Sequence, residues 1–181
     1  WGTLLQDRKS SLALQRSRVS ILTRISRREL LSVSAEEWDS ILVDERKFFR
    51  TAEIEGEQLS PNTRLQRLFC KAARTRNPNI VSETLACFDE CALLYLPEVD
   101  WGLVKAIRSW KRAGFRLAVV SNTGLIGANI TREILKLLGL PRLFDGLVLS
   151  EEQRNRKPNP AIFMQASRLL DVKPNRLLHI G

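Results

Sequence analysis

Apolar residues recur at helical spacing through the first half of the chain and gather into short runs in the second. From Asp7 to Leu31, the residues Leu12, Leu14, Val19, Leu22 and Ile25 fall near a 3.6-residue period with arginines between them, which predicts an amphipathic helix. Ser34-Ala-Glu-Glu37 is a capping box, a hydroxyl at the cap and a carboxylate three residues on. It predicts a second helix through Trp38, Ile41, Leu42, Glu45, Phe48 and Phe49. Ser60-Pro61 repeats the start signal, with proline at the first helical position, and Leu65, Leu68 and Phe69 form the stripe that follows. Asn77-Pro78 breaks that helix, and a fourth is expected from about Ile80 to Leu94. Four helices in succession predict a small bundle. Ahead of them, Trp1 to Leu5 reads as the tail of a strand followed by a turn.

The texture changes at Pro97. Trp101 to Lys111 predicts an amphipathic helix ending near Gly114, and Leu117 to Val120 is a β-branched run expected to be a buried strand with Ser121 at its end. A helix from about Asn129 to Leu138 stops at Gly139, with Pro141 just beyond. Leu147 to Leu149 is a short strand, Pro160 to Leu170 a further helix, and Leu177 to Ile180 the last strand. Helix–strand alternation of this kind predicts an α/β fold, a parallel sheet with helices on its faces.

Composition narrows the function. Of 181 residues, 44% are hydrophobic and 27% charged, enough apolar material for a packed core. Absence of an apolar run near 18 residues argues against a transmembrane helix, and the opening lacks a basic-then-apolar leader, so a cytoplasmic location is expected. The formal net charge of +9 is spread along helices rather than massed in one tract, and aromatics are few. That favours a solvated basic face, or attraction for a small anionic substrate, over nucleic-acid binding. Arg24, Arg27 and Arg28 are assigned to such a face, and Arg156 to the surface. Cys70, Cys87 and Cys91 lack zinc-type spacing and are read as packing residues. His179 sits inside an apolar run and is read as structural. Glu151 and Glu152 are read as solvated loop carboxylates. The pattern fixes no oligomeric state.

Chemistry concentrates in three places. Ser121 ends a strand at the sheet edge where ligands bind in open α/β folds. Lys157 stands in Arg156-Lys-Pro-Asn-Pro160, a proline-rich turn entering a helix, and Leu177-Leu-His-Ile-Gly181 closes the chain. In this order the three resemble the second, third and fourth motifs of the haloacid dehalogenase superfamily. The second is a strand ending in Ser or Thr, the third a lysine commonly in a Lys-Pro context, and the fourth an apolar strand followed by Gly-Asp. Trp1-Gly-Thr-Leu4 resembles the remainder of the first motif, Asp-x-Asp-Gly-Thr-Leu.

The resemblance implies a Rossmann-like core and an inserted helical cap. Residues 1–8 would then be a first-motif remnant and linker, 9–95 the cap, and 96–181 the core. It also implies a hydrolase working through an aspartyl enzyme ester, foremost a Mg²⁺-dependent phosphatase acting on a small phosphorylated metabolite. Ser121 would donate a hydrogen bond to the phosphoryl group, and Lys157 would place a compact cation against phosphate and attacking carboxylate. Asn122 would cap the turn and touch ligand. Thr3 would shape the turn after the nucleophile, and Gly2 would allow close backbone approach. Magnesium would keep only the backbone carbonyl of Trp1 from this chain.

Two departures qualify the match. The nucleophilic aspartate and the fourth-motif carboxylate have no counterpart within the 181 residues. The chain as given is therefore expected not to turn over substrate, and to fold poorly for want of the family's central first strand. Trp1 also stands where phosphatases of the family hold an acid/base aspartate, and an indole cannot protonate a leaving alkoxide. Dehalogenation of a 2-haloacid, or a non-catalytic binding module on the same fold, are the alternatives.

Overall fold

The computed structural model of the protein describes residues 2–6, 10–55 and 58–180. Trp1, Asp7 and Gly181 therefore lie outside the described residues, and so does the proposed Trp1 carbonyl ligand.

The start signals work as the sequence implies. Helix α1 spans Ser10–Arg28 and α2 spans Ala35–Glu55. The capping box before α2 closes in both directions: the Glu37 N–H donates to Ser34 Oγ at 3.2 Å, and the Ser34 N–H donates to Glu37 Oε2 at 2.7 Å. Helix α3 (Pro61–Ala73) is capped by Ser60, whose hydroxyl accepts from the Thr63 N–H. It ends on Arg74 in the left-handed region at φ 51°, so Asn77-Pro78 does not break it. That pair instead opens α4 (Pro78–Leu94), with the Asn77 side chain accepting from the Asn79 N–H.

Each of these helices buries one stripe. Ile21, Leu22 and Ile25 of α1, Trp38 and Leu42 of α2, Leu65, Leu68 and Phe69 of α3, and Ile80, Val81 and Phe88 of α4 form one apolar cluster. Trp38 is fully buried, meets Phe69 edge-on at 5.5 Å between ring centroids, and donates its indole N–H to Ser26 Oγ at 2.8 Å. Helix α1 packs on α2 and α4, and α3 packs on the same two, which closes a four-helix bundle.

The chain enters and leaves this bundle side by side. Strand β1 (Leu5–Gln6) pairs antiparallel with β2 (Glu98–Val99), Leu5 opposite Val99 and Gln6 opposite Glu98. The sequence reading placed a strand before a turn here. The expected strand tail at Trp1 lies outside the described residues; the turn is present, closed by the Gly2 N–H on the Leu5 carbonyl at 2.7 Å, and leads into β1.

After β2, Asp100 caps α5 (Trp101–Arg112). The parallel sheet then follows, β3 (Ala118–Ser121) beside β4 (Gly146–Leu149), in the register Ala118↔Gly146 through Ser121↔Leu149. Between them runs α6 (Ala128–Leu137), stopped at Gly139 with φ 69°. After β4 come a single turn, α7 (Ser150–Gln153), and α8 (Pro160–Leu170). Period-two alternation sorts the sheet's side chains. Val120 and Val148, opposite one another, pack with Ile162 and Ala166 of α8, whereas Leu147 joins Val104 of α5 and Leu135 of α6 on the other face. Helices therefore cover both faces, as expected of an α/β core.

The predicted last strand is not formed. Residues 177–180 pair with no strand among the described residues, and Leu178 is 84% exposed. An extended segment becomes a strand only when a neighbour takes its backbone groups. His179, read as structural within that run, is exposed and meets Phe163 edge-on at 5.1 Å.

Candidate active site

Parallel strands in register end together, so the loops after β3 and β4 emerge side by side at one sheet edge. Hydrogen bonds stitch them. The Thr123 N–H donates to Ser150 Oγ at 2.8 Å, the two hydroxyls lie 3.2 Å apart, and the Glu151 N–H donates to Thr123 Oγ1 at 3.3 Å. Thr123 and Ser150 are both buried.

Asn122 makes the longer link. Its Nδ2 donates to the Lys157 carbonyl at 3.1 Å, and its Oδ1 accepts from the Lys157 N–H at 2.8 Å. One side-chain amide thus satisfies both backbone groups of Lys157, as a ladder partner would in a sheet. The Lys157–Pro158 peptide is cis. Lys157 is thereby tied to the residue next to Ser121, which is itself 7% exposed. The sequence gives Asn122 a turn-capping and ligand-touching role. In the structure it holds the lysine loop.

The glutamates, read as solvated, have definite partners. Glu151 Oε2 accepts from the Ala128 N–H at 2.6 Å, supplying the N-terminal cap that Gly127 cannot give α6. Glu152 pairs with Arg132 through two bonds, at 2.9 and 2.8 Å. Among the described residues no group of three or more His, Cys, Asp or Glu side chains could hold a metal ion. The described residues by themselves supply no magnesium site.

Thr3 and Gly2 sit in the turn leading into β1. Gly2 has φ +91°, and a Cβ there would meet nothing within 4 Å. That positive angle favours glycine on its own account, and the space beside its Cα is open.

The bundle closes over the loop after β3, with Leu125 packed against its apolar cluster. Between them lies a cavity of about 220 Å³ lined by Arg18, Arg46, Arg64 and Arg156 together with the 122–125 loop. A neighbouring cavity of about 280 Å³ shares Arg18, Arg46 and that loop and reaches Ser121. Arg156, assigned to the surface from sequence, is only 2% exposed. Arg64 is also buried, its guanidinium carbon 3.2 Å from the Phe49 ring centroid and its Nε 3.8 Å from Glu45 Oε1. Burial pushes the Glu45 carboxyl up from its ordinary range, and Arg64 beside it opposes that rise.

The arginines singled out from sequence line neither cavity. Arg28 forks onto Glu83 at 2.7 and 2.6 Å, and Arg24 reaches Cys87 Sγ at 3.6 Å. A signal for the right ones was present. Arg18 precedes Ile21, Leu22 and Ile25 at spacings of three, four and seven. Arg46 falls between Leu42 and Phe49, and Arg64 adjoins Leu65 and Leu68. All three arginines occupy stripe positions.

Comparison with known proteins places this geometry. A family model described as haloacid dehalogenase-like hydrolase matches residues 1–181. The chain is 31% identical over 106 residues to a glyceraldehyde 3-phosphate phosphatase of Methanopyrus kandleri, covering 58% of this chain and 43% of the relative. It is 34% identical over 101 residues to a phosphoglycolate phosphatase of Colwellia psychrerythraea, covering 54% and 41%. The chain thus spans less than half the length of these curated relatives. Among solved structures, CbbY from Rhodobacter sphaeroides in complex with phosphate aligns at a TM-score of 0.58 with 21% identity, over 97% of this chain and 72% of that one. The putative HAD-hydrolase YfnB from Bacillus subtilis, bound to magnesium, aligns at 0.58 with 16% identity, over 100% and 72%. At such identities these two show a shared fold.

Proposed function

The chain belongs to the haloacid dehalogenase-like hydrolases, and on that premise we propose that the whole protein is a phosphatase for a small phosphorylated metabolite. The observation that carries this reading is the Asn122 clamp, which ties Lys157 to the strand end bearing Ser121 beside an arginine-lined cavity. The names of the phosphatase relatives support it.

In this reading an aspartate carboxylate attacks phosphorus, the bond to the leaving oxygen breaks, and water then cleaves the aspartyl phosphate to release inorganic phosphate. That carboxylate has no counterpart at a matching position of the chain. What the chain contributes is stabilisation of charge. The Ser121 hydroxyl donates to a phosphoryl oxygen. The Lys157 ammonium neutralises charge spread over the transferring group. Asn122 is a positioning residue, fixing the backbone from which the lysine extends. Residues 9–95 act as a cap that closes the cavity from above and excludes water. Mg²⁺, the ion bound in the Bacillus neighbour, is expected to be needed, with ligands from outside the described residues.

The test uses the full-length protein. Phosphate release from p-nitrophenyl phosphate that requires Mg²⁺ and falls about 10²–10³-fold in Ser121→Ala supports the reading. Chloride release from a 2-haloacid without metal points to the dehalogenase alternative. Absence of both, with ligand binding retained, points to a binding module.

A further inference from the structure

Two thiols stand together on α4 and line neither cavity: Cys87 and Cys91, both free and half-buried. One helical turn apart, they lie one above the other, with Cβ atoms roughly 5–6 Å apart. Both pack against the edge of the bundle's apolar cluster, beside the buried Phe88. Two cations of α1 meet them there. Arg24, itself exposed, donates from Nη2 to Cys87 Sγ at 3.6 Å. Arg18 lies over the Phe88 ring, its guanidinium carbon 5.2 Å from the centroid. Burial pushes the Cys91 thiol above its ordinary value, Arg18 opposes that rise, and Cys87 adds to it. The two sulfurs and the two guanidiniums thus share one neighbourhood, within reach of solvent.

Spacing decides what such a pair can do. A disulfide needs Cβ atoms roughly 3.5–4.5 Å apart, closer than an intact helical turn brings them. A single interposed atom suits the gap. With metal–sulfur bonds of roughly 2.3 Å, as in zinc thiolates, the sulfurs can stand up to about 4.6 Å apart. Ligand number then narrows the ion. Among the described residues no third His, Cys, Asp or Glu joins the pair, so zinc, which takes four ligands in structural sites, finds half a site. Thiolates alone select a soft ion, Cu(I) foremost. Charge agrees with that choice. Binding releases both thiol protons and forms two sulfur–metal bonds, so a monovalent ion leaves a complex with a single negative charge. Arg18 and Arg24 offset that anion, whereas they would repel a divalent cation on the way in. We propose that Cys87 and Cys91 bind a soft monovalent cation of the Cu(I) class in two-sulfur coordination, with Arg24 steadying Cys87. The site is independent of the hydrolytic chemistry.

The experiment titrates the reduced full-length protein with Cu(I), without oxygen, against a chromophoric Cu(I) chelator. Each variant is compared with the parent, so that sulfurs elsewhere in the protein cancel. We expect Cys87→Ser and Cys91→Ser each to withdraw one ion per chain fewer than the parent, and Cys70→Ser to match it. Arg24→Gln should keep the ion but weaken its binding about tenfold, as loss of a group touching a metal ligand does. An equimolar amount of Zn²⁺ should leave the uptake unchanged. X-ray absorption of the loaded protein should lose a two-sulfur copper signal in Cys91→Ser. Thermal melts show whether the serine variants fold; if one does not, Cys87→Ala or Cys91→Ala, which keep the position apolar, carries the same comparison. Uptake that survives loss of either thiol, falls in Cys70→Ser, or yields to equimolar Zn²⁺ overturns the proposal. Failure of the parent to draw any Cu(I) from the chelator overturns it as well.

Discussion

Asn122 occupies one side-chain amide with two backbone groups of a residue 35 positions away. Asn122→Ala leaves the Lys157 N–H and carbonyl without that partner and frees the lysine backbone to shift. A displacement near 1 Å at a reacting centre costs on the order of 10²-fold, so we expect kcat/KM to fall by about that factor while circular dichroism stays native. Asn122→Asp should not restore the rate, since it keeps the acceptor for the Lys157 N–H and sets a carboxylate against the Lys157 carbonyl. The order of Ser121 and Lys157 along the chain was legible because each carries its own local signature, a strand end and a Lys-Pro turn. The clamp between them was not, because an asparagine after a strand reads as turn chemistry until the distant loop is in place. Arg156 was misread for a related reason. A charged residue at the start of a proline-rich turn looks solvent-facing until the bundle closes over it.

At the scale of single elements, the helix starts were written plainly into the chain, since a cap needs only residues within one turn of each other. Ser34 with Glu37 and Ser60 with Pro61 both sit at observed helix N-termini, and Asn77-Pro78, read as a break, opens α4. What the helices bury against was harder to read, and it sets their stability. Phe69→Ala, which removes a ring buried against Trp38, is expected to cost about 3–5 kcal/mol in chemical denaturation. Trp38→Phe is smaller in volume but strips the buried Ser26 hydroxyl of its donor, for about 1–3 kcal/mol. Helix α4 carries a pH dependence of its own. Burial, with Glu151 nearby adding to it and Arg18 opposing, pushes the Asp89 carboxyl up to about 6. A carboxyl raised on folding binds its proton more tightly in the native state. Its contribution to stability is therefore full below about pH 4 and is lost as pH rises through about 6. Asp89→Asn removes that dependence, so its melting temperature relative to the parent protein should climb between pH 4 and 7. A difference flat across that range would contradict the assignment.

Over the whole molecule, the parallel pair β3–β4 and the helices on both its faces were foreseeable from alternation. The fate of residues 177–180 was not, because an apolar run predicts the capacity to pair and says nothing of whether a partner stands beside it. The charge distribution is also a property of the whole. With a net charge of +9 and arginines facing the cavity, an anionic substrate is attracted over a distance that salt shortens, from a screening length of about 10 Å at 0.1 M to about 3 Å at 1 M. On the phosphatase reading, KM for a phosphate monoester should rise with added salt, and kinetics at several ionic strengths will show it.

The β1–β2 ribbon joins Leu5 directly to Val99, so the polypeptide returns to within one ladder rung of where it departed. From the core's side, everything between those rungs is one excursion with its two feet together. A segment of any length could be exchanged there without tearing the sheet, because lengthening a loop whose ends already meet adds only about 0.6 kcal/mol per doubling. Selectivity for a new compound could thus be acquired by transplanting a different lid, with the reactive edge left untouched.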